Sequence, residues 1–231
     1  MLKSCFFFIF FISYSASAIV NVEGTRVIFN EGEKITSVNL LNTGTEPALV
    51  QLWFDNGDIL SSPQNIKSSV IAVPPVFKLN ANEMRAIKLQ VISHDNLSLN
   101  SESLLWLNIY QIPPNTMSSG GDKRVVLPLR IRLKVFVRPQ GVGKFDVLKG
   151  SELRFIKSNI SGKDYIIENP TKYHISMPEI NIGGRILNNI LVEPLARKPV
   201  ILSSPAYDGD VTYDIINDEG NRVNYKTKLH L

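Results

Sequence analysis

A chain of 231 residues carries 25 lysines and arginines against 21 acids, a formal net charge of +4 at pH 7. The excess is mild, and no basic block or basic-aromatic stripe marks a nucleic-acid surface. Cys5 stands alone, which excludes an internal disulfide, and His94, His174 and His230 have no histidine or cysteine at metal-ligand spacing.

The chain opens as an export signal. Lys3 supplies a positive start, Phe6 to Ile12 is an unbroken apolar run, and Ala16-Ser17-Ala18 has the small-residue pattern at which signal peptidase cuts. Residues 1–18 are expected to be removed, Cys5 with them, leaving Ile19 as the new N-terminus. The apolar run is shorter than the ~20 residues a spanning helix needs, and no later segment approaches that length. The expectation is a soluble exported protein with no membrane insertion. What remains is long enough for two domains of about 100 residues each.

Along the rest of the chain the apolar residues alternate. Ile87, Leu89 and Val91 form one set, Leu105, Leu107 and Ile109 another, and Val125 to Val135 a third and longer one. Turn chemistry separates them at Asn42-Thr43-Gly44, Asp55-Asn56-Gly57-Asp58, Asn80-Ala81-Asn82, Asp95-Asn96 and Ser118-Ser119-Gly120-Gly121. Frequent strands without helical periodicity between them predict an all-β protein of two immunoglobulin-like sandwiches in tandem. The break at Pro139-Gln140-Gly141-Val142-Gly143 divides it into an N-terminal domain over 19–139 and a C-terminal domain over 144–231. In the second domain, strands are predicted at Phe145–Leu148, Leu153–Ile156, Tyr165–Glu168, Ile190–Val192, Val211–Ile216 and Val223–Lys228, with turns at Asn169-Pro170, Gly183-Gly184 and Asp218-Glu219-Gly220. Trp53 and Trp106 fall inside strand runs and are expected in the core.

Nothing in the sequence anchors an enzyme. There is no Gly-x-Ser-x-Gly elbow and no phosphate-cradling glycine loop, and Gly141 and Gly143 lack the strand-to-helix setting of a dinucleotide fingerprint. The acid pairs Asp55 and Asp58, and Asp208 and Asp210, lie in turn-rich sequence, where carboxylates commonly accept from their own backbone. No catalytic residue, metal ligand or cofactor is assigned.

The run from Arg124 to Arg138 is unusual. A long apolar strand at a domain's end is a candidate sheet edge, and exposed apolar edges invite aggregation unless they are used. Val125, Leu127 and Leu129 either pack into their own core or present an apolar face, while Arg130, Arg132, Lys134 and Arg138 put a cationic row on the other side. A solvated basic face accounts for that row equally well.

Arg130-Ile131-Arg132-Leu133-Lys134-Val135-Phe136-Val137-Arg138-Pro139 resembles the signature strand of PapD-like periplasmic chaperones, in which a lysine and an arginine flank an apolar-aromatic run ending in proline. Thr25-Arg26-Val27-Ile28-Phe29 is similar to that family's first strand, Val73-Pro74-Pro75-Val76-Phe77-Lys78-Leu79 to its double-proline segment, and Ser101-Glu102-Ser103-Leu104 and Ile112-Pro113-Pro114 to its next landmarks. Tyr165 to Thr171 and Ile216-Asn217-Asp218-Glu219-Gly220 follow in the family's order.

The resemblance implies a periplasmic protein that lends a strand to incomplete pilus subunits and passes them to an outer-membrane usher, without a cofactor. It implies that Val125, Leu127 and Leu129 enter the subunit groove, that Arg26 and Lys134 hold the subunit's terminal carboxylate, and that Glu102, Arg138 and Asp218 link the two domains. Before binding, the donor residues are exposed, or covered by a loop or by a second copy of the chain in a self-capping dimer. Pro128 departs from the pattern by removing a strand N–H, Val137 stands where an aromatic is common, and a second-domain disulfide is missing. The connection from Asn115 to Lys123 resembles the short-loop branch that serves rod-like pili. The competing reading is a secreted two-domain adhesion or structural module on the same fold, with a secreted hydrolase a distant third.

Overall fold

In a computed structural model, described here for residues 20–64, 67–114, 127–158, 164–202 and 209–229, the chain forms two β-sandwiches. The first contains β1 (Val20–Val22), β2 (Arg26–Phe29), β3 (Ile35–Asn42), β4 (Ala48–Asp55), β5 (Val70–Val73), β6 (Val76–Leu79), β7 (Met84–Val91), β8 (Ser103–Ile112) and β9 (Leu129–Val137). One sheet runs β1-β3-β7-β5 and the other β2-β9-β8-β4-β6. The second sandwich contains β10 (Arg154–Lys157), β11 (Tyr165–Glu168), β12 (Ile175–Ile182), β13 (Arg185–Val192), β14 (Arg197–Val200), β15 (Asp210–Ile216) and β16 (Arg222–Lys228), in sheets β10-β11-β14 and β13-β12-β15-β16.

Period-two alternation places the cores. Leu52 and Phe54 of β4, Ile87 and Leu89 of β7, and Leu105, Leu107 and Ile109 of β8 point between the first pair of sheets, where they are buried. Phe155, Ile167, Met177, Ile180, Val211 and Tyr213 do the same in the second. The same alternation overturns the expectation for the tryptophans. Trp53 and Trp106 sit on the outer face of the β2-β9-β8-β4-β6 sheet and are only partly buried, because their strand neighbours on either side already face the core.

Three second-domain expectations also change. Phe145–Leu148 is not a strand: Asp146 accepts a hydrogen bond from the Leu148 N–H and caps a 3-10 helix over Val147–Glu152. The strand predicted at Ile190–Val192 is the end of a longer one, β13, and β12 and β14 were not foreseen. β12 is masked by Pro178, which breaks its alternation and interrupts the ladder with β13 between Met177 and Glu179. Asn169 carries the Asn-Pro turn from inside. Its buried amide donates to the Tyr173 and Glu193 carbonyls at 2.7 and 2.8 Å and its oxygen accepts from Thr171.

The 3-10 helix is stitched to the second core by two tyrosines. Tyr213 donates to the Gly150 carbonyl at 2.9 Å and Tyr225 to the Val147 carbonyl at 2.7 Å, with the rings stacked at 5.4 Å and 14°. A Cβ on Gly150 would penetrate the Tyr225 ring, with its hydroxyl oxygen only 2.5 Å away. Gly150→Ala should therefore destabilise the second sandwich by about 1–3 kcal/mol through overpacking, read as a lower denaturant midpoint. Burial pushes the Tyr213 hydroxyl up to about 12, with the charge of Tyr225 adding to the rise. A group whose neutral form is favoured in the fold contributes stability that is complete below its ordinary value of about 10 and is lost as pH rises through about 12. The second sandwich should lose about 2–3 kcal/mol from this group over that interval, and Tyr213→Phe should flatten the alkaline limb of a melting-temperature profile.

Candidate functional site

β9 has one complete edge and one half-empty edge. Along its whole length it pairs antiparallel with β8, from Leu129 opposite Gln111 to Val137 opposite Ser103. On the other side β2 pairs with it in parallel, and only from Lys134 to Val137. Leu129 to Leu133 therefore have no strand beside them among the described residues. On the face that carries the apolar side chains, burial increases along the strand. Leu129 is 44% exposed and Leu127, before the strand starts, 75%, while Ile131 is partly buried against the core and Leu133 fully. Pro128 immediately precedes the strand, and Val125 lies outside the described residues.

The opposite face of β9 carries the cations, and it is not a solvated row. Arg130 stands 4.9 Å over the Trp53 ring and Arg132 4.7 Å over Trp106. Both converge on Asp55, whose side chain is 1% exposed: Arg132 donates to it at 2.5 Å and Arg130 at 3.5 Å, and Asn108 donates at 2.7 Å. Asp55 also accepts from the Gly57 N–H, so it is the turn-forming carboxylate the sequence implied and a counter-ion as well. A buried carboxylate needs such partners; the ladder fixes β9 against β4 and β8 from outside the core.

Where the half-empty edge meets β2, Arg26 and Lys134 stand directly opposite in the parallel register. Each reaches across to the second sandwich. Arg26 Nη1 donates to the Ile216 carbonyl at 2.9 Å, and Lys134 Nζ to Ser176 Oγ at 3.0 Å. They line a cavity of about 140 Å³ with Ser176, Pro178, Asn189 and Ile216. Burial lowers the pKa of both cations, and the charge of Arg26 lowers that of Lys134 further. Asp218 and Glu102 pull Arg26 the other way through space, but among the described residues neither is hydrogen-bonded to it, and Arg26 Nε is buried without a partner. Two partly dehydrated cations facing one cavity, with no acid hydrogen-bonded to either among the described residues, have the charge and the donors to accept an anion.

Behind that cavity Arg138 joins the sandwiches. Its Nε donates to Glu102 at 2.9 Å, and its two Nη atoms donate to the two oxygens of Asp218, both at 2.7 Å. Burial opposes the charge, but the hydrogen bonds and charges of Asp218 and Glu102 outweigh it and hold the Arg138 pKa above its ordinary value. Glu102 in turn accepts from the His174 N–H at 2.8 Å and contacts its Nδ1 at 3.2 Å, and the guanidinium lies 5.1 Å over Tyr173. The structure thus brings Arg26 to Lys134, and Glu102 and Asp218 to Arg138. Ser176, His174 and the Ile216 carbonyl were missed. A lone serine, a lone histidine and a backbone oxygen carry no pattern, and only the packing of one domain on the other brings them to the site. Among the described residues no three metal-ligating side chains cluster, and no helix is long and apolar enough to cross a membrane.

Comparison with known proteins identifies the family. Residues 19–143 match the model of the "pili and flagellar-assembly chaperone, PapD N-terminal domain", and residues 151–227 that of the "pili assembly chaperone PapD, C-terminal domain". The chain is 33% identical to the chaperone protein MrkB of Klebsiella pneumoniae over 99% of its own length and 100% of that protein's. It is 29% identical to the probable fimbrial chaperone YehC of Escherichia coli K12, covering 94% and 90%. Among solved structures it resembles the YadV chaperone with a TM-score of 0.72 and 26% identity, covering 92% of this chain and 100% of that one. A Salmonella enterica complex of the SafA pilin with the SafB chaperone shares the fold with a TM-score of 0.79 at 24% identity, covering 94% and 99%. With both domain models matched in order and a full-length relative a third identical, the chain belongs to the PapD-like family of pilus assembly chaperones.

Proposed function

We propose that this protein is exported to the periplasm by its first 18 residues, captures pilus subunits along the half-empty edge of β9, and delivers them to an outer-membrane usher. The observation that carries this reading is the continuity between a strand edge that is unpaired among the described residues and a two-cation cavity. β9 runs from Leu129 toward Lys134, so a partner strand ending with its carboxylate between Arg26 and Lys134 runs parallel to β9. It occupies the line that β2 continues, and its last residue meets the first residue of β2.

The anchor then fixes register. A slip of one residue turns every side chain of a strand to the other face, so a carboxylate tied at Lys134 decides which partner residues share a face with Leu127 and Leu129. Val125, on the same alternation, is proposed to extend that row. Burying each such side chain contributes about 1.5–3 kcal/mol, and each main-chain bond about 1 kcal/mol net, before the losses of association are subtracted. Capture on this scale requires no nucleotide and no catalytic step. A self-capped dimer is the natural resting form for a chain with Leu127 and Leu129 in solvent.

The Glu102–Arg138–Asp218 linkage is proposed to hold the interdomain angle at which Ser176 and Ile216 reach the two cations. A buried pair loses much of its attraction to desolvation, so its contribution is geometric before it is energetic.

Co-expression with a candidate subunit in the periplasm tests the reading. Arg26→Ala and Lys134→Ala should each lose about 1.5–3 kcal/mol of capture, a tenfold or greater fall in co-purified subunit, while melting like the parent. Subunit recovered at parental yield from both variants would remove the anchor. Leu129→Glu should abolish capture by placing an unpaired carboxylate in an apolar groove, and a large fall in its own melting temperature would assign Leu129 to this domain's core instead. Asp218→Asn should leave each sandwich folded but widen the distribution of interdomain angles in small-angle scattering, with weaker capture. An unchanged scattering profile with unchanged capture would separate the linkage from function.

A further inference from the structure

The turn between β15 and β16 touches the first sandwich at three points within five residues. The Ile216 carbonyl accepts from Arg26, and the Asp218 carboxylate accepts both Nη atoms of Arg138. The third point is Gly220. A Cβ built there would stand 2.7 Å from Thr25 Oγ1, with Thr25 Cβ and Cγ2 at 3.8 and 3.9 Å. Real Cβ atoms do not approach an oxygen that closely, so a side chain at 220 requires either that the exposed Thr25 turn its hydroxyl away or that the turn withdraw from it. Thr25 immediately precedes Arg26, so the close approach lies one residue from the guanidinium the turn also holds.

The turn itself is stiff. The Asn217 N–H donates to the Asn221 carbonyl at 3.0 Å, the Gly220 N–H to the Asn217 carbonyl at 3.1 Å, and the Asn221 N–H to Asn217 Oδ1 at 2.8 Å. A displacement at Gly220 is therefore transmitted to Ile216 at the turn's other end rather than absorbed within it. Arg26 is sensitive to that movement, because its hydrogen bond to Ile216 is the one that aims it. With Nη1 tied there, the guanidinium is held at the wall of the cavity it lines with Lys134.

We infer that Gly220 is a positioning residue of the carboxylate anchor: having no side chain, it lets the turn seat against Thr25, and the seat sets the aim of Arg26. The inference rests on the reading of Arg26 and Lys134 as holding a terminal carboxylate. It assigns a second role to a glycine whose φ of +84° already disfavours a side chain, and the two roles are separable, because removing Thr25 Oγ1 relieves the contact and leaves φ as it was.

The test measures binding of the full two-domain protein to a short fluorescent peptide of alternating valine and threonine, made as the free acid and as the C-terminal amide. The ratio of the two affinities reads the anchor alone, since both peptides use the same strand edge. The parent should prefer the acid by about tenfold or more. Gly220→Ala should reduce that preference to within about twofold while its affinity for the amide holds, which also shows that the variant is folded. Thr25→Ala alone should behave as the parent, and Gly220→Ala with Thr25→Ala should recover most of the preference. No acid preference in the parent would overturn the anchor reading, and the positioning role with it. A parental preference that survives Gly220→Ala overturns the positioning role alone. A preference lost in Gly220→Ala and not recovered by Thr25→Ala traces the effect to backbone conformation and likewise overturns the seat.

Discussion

Arg138 is a guanidinium with a 2% exposed side chain, and such a group is tolerable only where acids meet it with good geometry. It lies one residue past β9, and its two acids come from opposite sides: Glu102 from just before β8, in the first sandwich, and Asp218 from the β15–β16 turn in the second. Satisfying this one charge presses the two sandwiches together, brings the turn beside Thr25 and Arg26, and brings the start of β12, with Ser176, over Lys134. The cavity between Arg26, Lys134, Ser176 and Ile216 is a by-product of that docking, since neither sandwich supplies its lining alone.

The first sandwich is organised around an omission. β2 pairs with β9 from Lys134 to Val137, and among the described residues the preceding stretch of β9 has no strand on that edge, which is braced from its other face. The Asp55 carboxylate and the Trp53 and Trp106 rings hold Arg130 and Arg132 down on the sheet, so the strand is braced by charge and ring contacts where only its β8 edge carries a ladder. An edge rigid in advance loses less conformational freedom when another strand docks. Edge strands are ordinarily blunted by charge, bulges or cover. Here the charges are turned to the far face, and the leucines are left to solvent.

Charge is used in two opposite ways within a few residues of β9. Arg138 is matched by acids and its pKa is raised; Arg26 and Lys134 are left short of acids and theirs are lowered. The contrast separates a cation whose acids are built in from a pair that has no acid hydrogen-bonded to it among the described residues. Lys134 and Arg138 stand on the same strand end, four residues apart, so sequence position alone does not distinguish the two uses.

Much of the fold was readable because the period of a half-buried strand is written directly in the residues: the alternations of Ile87–Val91, Leu105–Ile109 and Val211–Ile216 each became strands with their apolar members inside. The errors fell where a local signal was overridden. Trp53 and Trp106 are large and apolar yet lie outside, Pro178 concealed β12, and Phe145–Leu148 found no partner strand and coiled instead under the Asp146 cap. At the site, Arg26, Lys134, Glu102, Arg138 and Asp218 were named from ordered motifs, and the sequence by itself determined which charges exist and on which side of a strand they stand. Which of them would be neutralised was implied by the family resemblance and not by the residue pattern itself. Neutralisation depends on docking one sandwich against the other, which sets Asp218 on Arg138 and, among the described residues, gives Lys134 a serine hydroxyl and Arg26 a carbonyl oxygen but no hydrogen-bonded acid. Distances between domains are decided by side-chain packing across an interface, and no period in the chain encodes them.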